Sequence, residues 1–237
     1  MDVRPWRRRS TLTPKKEKEM SIEFSLCIDG EWICADARSA TQVINPSTEE
    51  VLGSAPIATS DDLERALAAA DRSFASWGAT DAASRAQLLR KVAKVITDRT
   101  EEIARVIALE QGKPLQQSRG EVGGGVEVFE WYAEECRRSY GRVVPSPDPT
   151  TELKVIYEPV GPAAVLTPWN FPFAEAATHM AAGLAAGCPI ILKAPSEAPG
   201  SGVQLVRAVH DAGIPAGVVN LVLGPSANIS DHLISSP

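Results

Sequence analysis

No apolar run in this chain approaches the ~18 residues that a membrane span needs. The longest candidate, Ala174–Ala186, is broken by Glu175 and His179 and reads as a core helix. Cysteine is sparse: Cys27, Cys34, Cys136 and Cys188 form no CxxC pair and show no metal-ligand spacing. No metal site is expected, and a reduced, cytoplasmic compartment fits best. Positive charge is also short. The net charge of −6 argues against a nucleic-acid partner. What remains is 237 residues at 44% hydrophobic and 23% charged, enough for one large or two modest soluble domains with real cores.

The first nineteen residues differ from the rest. Seven Arg or Lys stand against three acids, a net +4 that leaves the remainder at −10. An Arg-rich, acid-poor head has the composition of a transit peptide, but it lacks the apolar core of a secretory signal. The plainer expectation is a disordered basic tail over 1–20, with Met20 beginning the folded chain.

Asp29-Gly30, between two short apolar runs of Phe24–Cys34, predicts a two-residue hairpin. A turn at Asn45-Pro46-Ser47-Thr48 separates extended runs at Thr41–Ile44 and Val51–Ala55. Three helices are expected next, the first capped by Ser60, the second starting at Thr80, and the third capped by Thr100 and stopping at Gly112. Their apolar stripes mark scaffold without chemistry. Leu115–Arg138 continues in helical register, although Gly123-Gly124-Gly125 argues against a helix at ~1 kcal/mol each relative to Ala. No GK[ST] follows them, so close helix packing is expected rather than a phosphate loop. Arg142–Val144 and Leu153–Tyr157, separated by Pro-Ser-Pro-Asp-Pro, read as a protruding ribbon of the kind that pairs with another subunit.

The stretch Ala163–Pro195 organises the rest. A buried strand (Ala163–Leu166), a polar turn, a small-residue helix and a second buried strand (Pro189–Leu192) make a βαβ unit. A further helix near Ser201–Asp211, a strand at Val218–Leu223 closing at Gly224, and a helix at Asn228–Ile234 follow. Ligands of open α/β sheets bind at strand carboxyl ends. Asn170 and Lys193 lie there and should face one crevice. On residue type, Asn170 is either an oxyanion donor or a turn residue satisfying its own backbone. Lys193 is either a ribose or phosphate ligand or a solvated loop lysine.

The strings TPWNFP, AAGCPIILKAPSE and GIPAGVVNLVLG, with IDGEW, INPSTEEVLG, LEQGKPL and EPVGPAAVLTPWNFP, closely resemble the aldehyde dehydrogenase superfamily over roughly Ile22–Pro237. Within it the chain looks most like the succinate-semialdehyde dehydrogenase group. The resemblance implies NAD(P)-dependent oxidation of an aldehyde, with a semialdehyde as the narrower case, to the acid, with NAD or NADP as cofactor. In that family a cysteine thiolate attacks the aldehyde, hydride passes to the nicotinamide, and water releases the acid with help from a glutamate. Asn170 would then be catalytic, in the oxyanion hole. Leu166, Thr167, Pro168 and Trp169 would line the nicotinamide–ribose side. Lys193, in the turn Lys193-Ala194-Pro195-Ser196, would bind the adenosine ribose. Ser196 stands where the family often has a Glu, so a 2′-phosphate should be admitted, although Glu197 is adjacent. Gly224 would allow close approach of the adenine.

Two departures accompany the resemblance. Thr178 replaces the Arg with which semialdehyde enzymes grip a substrate carboxylate, and His179 beside it is expected to pack or cap. The family's GSTxxG turn, general-base Glu and nucleophilic Cys lie downstream of Pro237. The expected fold is therefore an incomplete, doubly wound, Rossmann-like α/β sheet. Hairpins and helices occupy 21–138, the ribbon 139–158 and the partial βαβαβ domain 159–237. The expected partners are an aldehyde and, for a complete enzyme, further copies of the chain, with no nucleic acid or membrane. The alternative is an inactive fragment that binds nucleotide or pairs with a subunit.

Overall fold

The computed structural model describes residues 22–36 and 38–236. The basic head lies outside them. Asp29 and Gly30 take positive φ values of 53° and 80°, as a tight I′-type hairpin demands. They join β1 (Leu26–Ile28) to β2 (Glu31–Ile33) with Leu26 opposite Ile33. A second hairpin, β3 (Ala40–Ile44) with β4 (Val51–Pro56), turns through Asn45, whose side chain accepts from the Ser47 amide at 2.9 Å.

The three expected helices form as α1 (Ser60–Gly78), α2 (Ala82–Asp98) and α3 (Thr100–Gln111). Their caps differ from expectation. Thr59, not Ser60, caps α1, because Asp62 three residues on completes a capping box. α2 starts past Thr80, and Asp81 caps it through the Ser84 amide. Thr100 caps nothing: its hydroxyl donates back to Ile96 and Thr97 carbonyls and helps to end α2. Gly112 closes α3 at φ 69°, the left-handed stop its residue type allows.

α4 (Leu115–Glu135) runs unbroken through the three glycines and ends in a 3-10 turn at Cys136–Arg138. Only one of those glycines packs closely. A Cβ on Gly125 would stand 2.6 Å from Phe173 Cε1, whereas Gly123 and Gly124 face no atom within 4 Å. β5 (Arg142–Val144) and β6 (Leu153–Val155) make a separate antiparallel ribbon. Val143, Leu153, Ile156 and Tyr157 in and after it are exposed.

The remainder alternates β7 (Ala163–Leu166), α5 (Ala174–Ala186), β8 (Ile190–Lys193), α6 (Pro199–Asp211), β9 (Val219–Val222) and α7 (Ser226–Ser235). β7, β8 and β9 are parallel, and the sheet order is β2-β1-β9-β8-β7. The hairpin thus covers the β9 edge, pairing antiparallel through Cys27 opposite Leu221. Asn220 locks it there, accepting from the Asp29 amide at 2.9 Å and donating to the Gly217 carbonyl at 2.8 Å. β8 and β9 are buried throughout, as expected of a central parallel strand. β7 is not the buried strand that its sequence suggested: it is the open edge, and only Val165 is buried.

The two faces of the sheet are distinct. Gly183 of α5 abuts Ile190, and Gly202 of α6 abuts Leu192 and Leu221, so α5 and α6 share one face with α2, α3 and α4 behind them. α1 and α7 pack on each other and on the parallel strands from the opposite side. After β9 the chain therefore returns along this second face toward β7, the crossing that marks a switch point in doubly wound sheets. Among the described residues no helix is long and apolar enough to cross a membrane.

Candidate active site

The carboxyl ends of β7 and β8 are stitched together by Thr167. Its amide and its hydroxyl each donate to the Lys193 carbonyl at 3.2 Å, where Leu166 lies opposite Lys193. Beyond this point the β7–α5 loop opens to solvent: Leu166, Pro168, Trp169 and Asn170 are all exposed. The Asn170 side chain makes no hydrogen bond among the described residues, leaving its amide group available to a ligand.

The loop backbone is held from outside. Gln111 at the end of α3 donates to the Trp169 carbonyl, and Lys113 donates to the Asn170 carbonyl at 3.3 Å. Lys113 also lies 4.4 Å from the centre of the Phe171 ring and pairs with Glu121 of α4. The second Glu121 oxygen accepts from the amides of Phe173 (3.0 Å) and Ala174 (3.2 Å), where α5 begins.

Lys193 ends β8, one residue later than the strand limit expected, and is only 2% exposed. Alternation along the strand sends Ile190 and Leu192 to the α5–α6 face and Lys193 to the α7 face. There its ammonium donates to Ser226 Oγ at 2.7 Å. Burial holds this amine below the usual lysine range, against the opposing pull of Glu197. A lysine has three N–H donors, and among the described residues a single neutral hydroxyl occupies one of them. Such a buried cation suits a polar ligand.

Ala194 and Pro195 are buried in the following turn, and the Ser196 hydroxyl donates to the Gly224 carbonyl at 2.9 Å. A recess between them is lined by Thr41, Ala55, Ser196, Pro199, Leu223 and Gly224. Gly224 has a reason of its own for being glycine: φ is 137°, and a Cβ would approach Ile57 to 3.2 Å and Ile229 to 3.3 Å. The structure thus joins Thr167 to Lys193 and Ser196 to Gly224. Asn170 stands at the same end of the sheet without a hydrogen bond to any of them.

Thr178 spends its hydroxyl on the Ala174 carbonyl at 2.8 Å within α5. His179 neither packs nor caps: it is exposed, 3.6 Å from Glu175 one turn earlier. The four cysteines are free and stand away from Asn170. Cys188 lies at the amino end of β8, a full α5 length (~20 Å) from the loop. Cys136 donates to the Ala82 and Ala185 carbonyls, near the far end of α5. Burial pushes the Cys27 thiol up to about 12, and Cys34 is beside Glu23 after β2.

Sequence reasoning missed Glu110, Gln111, Lys113, Glu121 and Ser226. Glu110 accepts from the amides of Gly200 (2.6 Å) and Ser201 (3.1 Å) and from the Ser201 hydroxyl (3.1 Å). Burial raises it to about 7 against those three hydrogen bonds. A signal existed in the LEQGKPL string, which holds three of the five.

The model of the "Aldehyde dehydrogenase family" matches residues 32–237. The chain belongs to the aldehyde dehydrogenase family. It is 39% identical over 206 residues to a glutarate-semialdehyde dehydrogenase of Pseudomonas putida, covering 87% of this chain and 43% of that protein. It is 39% identical over 210 residues to a succinate-semialdehyde dehydrogenase [NADP(+)] of Escherichia coli, covering 89% and 44%. An E. coli NADP-dependent enzyme of known structure superposes with a TM-score of 0.89 at 38% identity, over 91% of this chain and 45% of that one. A betaine aldehyde dehydrogenase of Staphylococcus aureus in complex with NAD+ gives 0.85 at 33% identity, over 90% and 42%. The chain therefore spans under half the length of these relatives. The shared architecture is the Rossmann-like amino-terminal portion of the dehydrogenase fold.

Proposed function

We propose that this chain supplies the nucleotide cleft and an oxyanion donor for NAD(P)-dependent oxidation of an aldehyde to its carboxylic acid. Lys193 carries the proposal: a buried ammonium with one neutral hydrogen-bond partner among the described residues, at the carboxyl end of a central parallel strand, suits ribose hydroxyls. Asn170 contributes a side-chain amide that nothing else in the described chain occupies, on a loop whose backbone is fixed. Aimed at a developing oxyanion, such a donor is worth about 3–4 kcal/mol. The nicotinamide, when bound, supplies hydride acceptance. Leu166, Thr167, Pro168 and Trp169 would flank it, and the turn Ala194-Pro195-Ser196 with Gly224 would face the adenosine end.

Both cofactor forms fit this chain. Ser196 brings no charge against a 2′-phosphate, in keeping with the NADP(+) of the E. coli relative's name, while the S. aureus structure holds NAD+. The relatives' names favour a semialdehyde. α5 offers no cation at Thr178 for its carboxylate, so other elements would have to hold that group. With no thiol near Asn170, the chain by itself is proposed to bind nucleotide without turnover. The exposed apolar ribbon is proposed to pair with another copy of the chain, and four free cysteines suit the cytoplasm.

Calorimetric titration of the 237-residue chain with NAD and with NADP tests the proposal. Binding of at least one is expected. Lys193→Met keeps the buried stem and removes the donors, and should weaken that binding at least about tenfold. A folded parent that binds neither nucleotide, or a Lys193→Met variant that binds as well as the parent, refutes the cleft. NAD(P)H formation from any aldehyde by the chain alone would overturn the claim of no turnover.

A further inference from the structure

The β7–α5 loop has little to hold it in place by itself. Phe173, at the start of α5, offers no side-chain cap, and Trp169 and Phe171 project into solvent. Four ties nevertheless reach its backbone, all from residues 111–121. Gln111 takes the Trp169 carbonyl, Lys113 the Asn170 carbonyl, and one Glu121 oxygen the amides of Phe173 and Ala174. The other Glu121 oxygen pairs with Lys113, so both halves of the clamp are one unit. The Glu121 side chain is 1% exposed and that of Lys113 14%. A surface ion pair contributes little, but a pair this enclosed with its remaining atoms hydrogen-bonded fixes geometry.

We propose that Lys113 and Glu121 are positioning residues for Asn170, Lys113 holding its carbonyl and Glu121 the Phe173 and Ala174 amides that follow, so that its side-chain amide points to one place. The assignment rests on the oxyanion role proposed above for Asn170. Oxyanion donors act through being preorganised, and a displacement of about 1 Å in a reacting geometry costs on the order of 100-fold. The alternative is that the pair merely stabilises the α4–α5 interface. That alternative does not account for Lys113 reaching past the helix to the Asn170 carbonyl and over the Phe171 ring.

Residue-resolved amide hydrogen exchange on the full chain, read by NMR, separates the two. Glu121→Ala should speed exchange at Phe173 and Ala174 at least about tenfold, the loss of a charge-assisted hydrogen bond. Amides of β8 and β9 should keep their parental rates. Glu121→Gln retains an acceptor for both amides and should restore most of the protection. Lys113→Met should move the Asn170 carbonyl carbon resonance while the β8 resonances stay in place. Parental protection at Phe173 and Ala174 in Glu121→Ala, uniform acceleration of all amides, or an unmoved Asn170 carbonyl in Lys113→Met overturns the proposal. Should Glu121→Ala fail to fold, Glu121→Gln and Lys113→Met decide it: a Phe173 amide unprotected in Glu121→Gln, or an unmoved Asn170 carbonyl, refutes the clamp. No nucleotide or aldehyde enters this test. Its failure strikes the clamp, whereas a parent that binds neither cofactor strikes the function proposed above.

Discussion

Alanine at each of the three consecutive glycines of α4 should give effects of opposite sign. Gly123 and Gly124 face open space, so a methyl group there meets nothing. Removing glycine from a helix interior is worth about 1 kcal/mol, part of it from restricting the unfolded chain. At Gly125 the same methyl would stand 2.6 Å from Phe173 Cε1, 3.1 Å from Cδ1 and 3.4 Å from Ala177 Cβ. Phe173 is fully buried and cannot swing into solvent. Overpacking of this kind costs about 1–3 kcal/mol, which leaves a net loss of up to about 2 kcal/mol after the helix gain. In a chain of this size each kcal/mol moves Tm by about 2–4 °C. Gly123→Ala and Gly124→Ala should therefore melt about 2–4 °C above the parent, and Gly125→Ala below it, by circular dichroism. Urea midpoints should fall in the same order. A Gly125→Ala protein as stable as the other two would mean that α4 and α5 do not approach as described, and the packing account would fail.

Two further substitutions examine buried polar groups. Glu110, raised by burial from 4.5 to about 7, keeps a proton in the folded chain where the unfolded chain has lost it. Its contribution to stability is full below about pH 4.5 and is lost as pH rises toward about 7, on the order of 3 kcal/mol in all. Glu110→Gln should remove that slope from urea unfolding measured across the window, and equal slopes in parent and variant would refute it. Asn220→Ala strands the Asp29 amide and the Gly217 carbonyl, and should cost about 2–4 kcal/mol while speeding amide exchange at Asp29. Unchanged exchange there would show that Asn220 does not anchor the hairpin.

Local rules carried the sequence a long way. Asp29-Gly30 specified its turn, Gly112 its helix stop, and the alternation after Ala163 its parallel strands, because each depends on residues a few positions apart. Caps slipped where two candidates adjoin. Thr59-Ser60 and Thr80-Asp81 each offer two side chains, and the deciding partner is the residue three positions further on, Asp62 or Ser84. The buried reading of Ala163–Leu166 failed for a different reason: an apolar strand looks the same in sequence at the edge of a sheet and at its centre. Asn170 and Lys193 were singled out by strand position and family resemblance, and their roles are proposals. Glu110 and Glu121 were not, since a glutamate in a helix ordinarily reads as solvated surface.

Those two glutamates change what the amino-terminal helices are for. α5 and α6 are the helices that flank the proposed cleft, and neither has a side-chain cap of its own. Each instead receives a carboxyl group at its amino end from the layer behind: Glu121 of α4 at Phe173 and Ala174, Glu110 of α3 at Gly200 and Ser201. Both satisfy free N–H donors there, and Glu121, paired with Lys113, also places negative charge where the helix dipole favours it. Because both carboxyl groups come from elsewhere in the chain, they also fix where each helix starts relative to the sheet. Those starting points carry the two loops of interest, Trp169–Phe173 and Ala194–Ala198. The layer that seemed scaffold without chemistry therefore sets the position of the loops on which the proposed chemistry depends, and a substitution in α3 or α4 can reach Asn170 without touching a ligand.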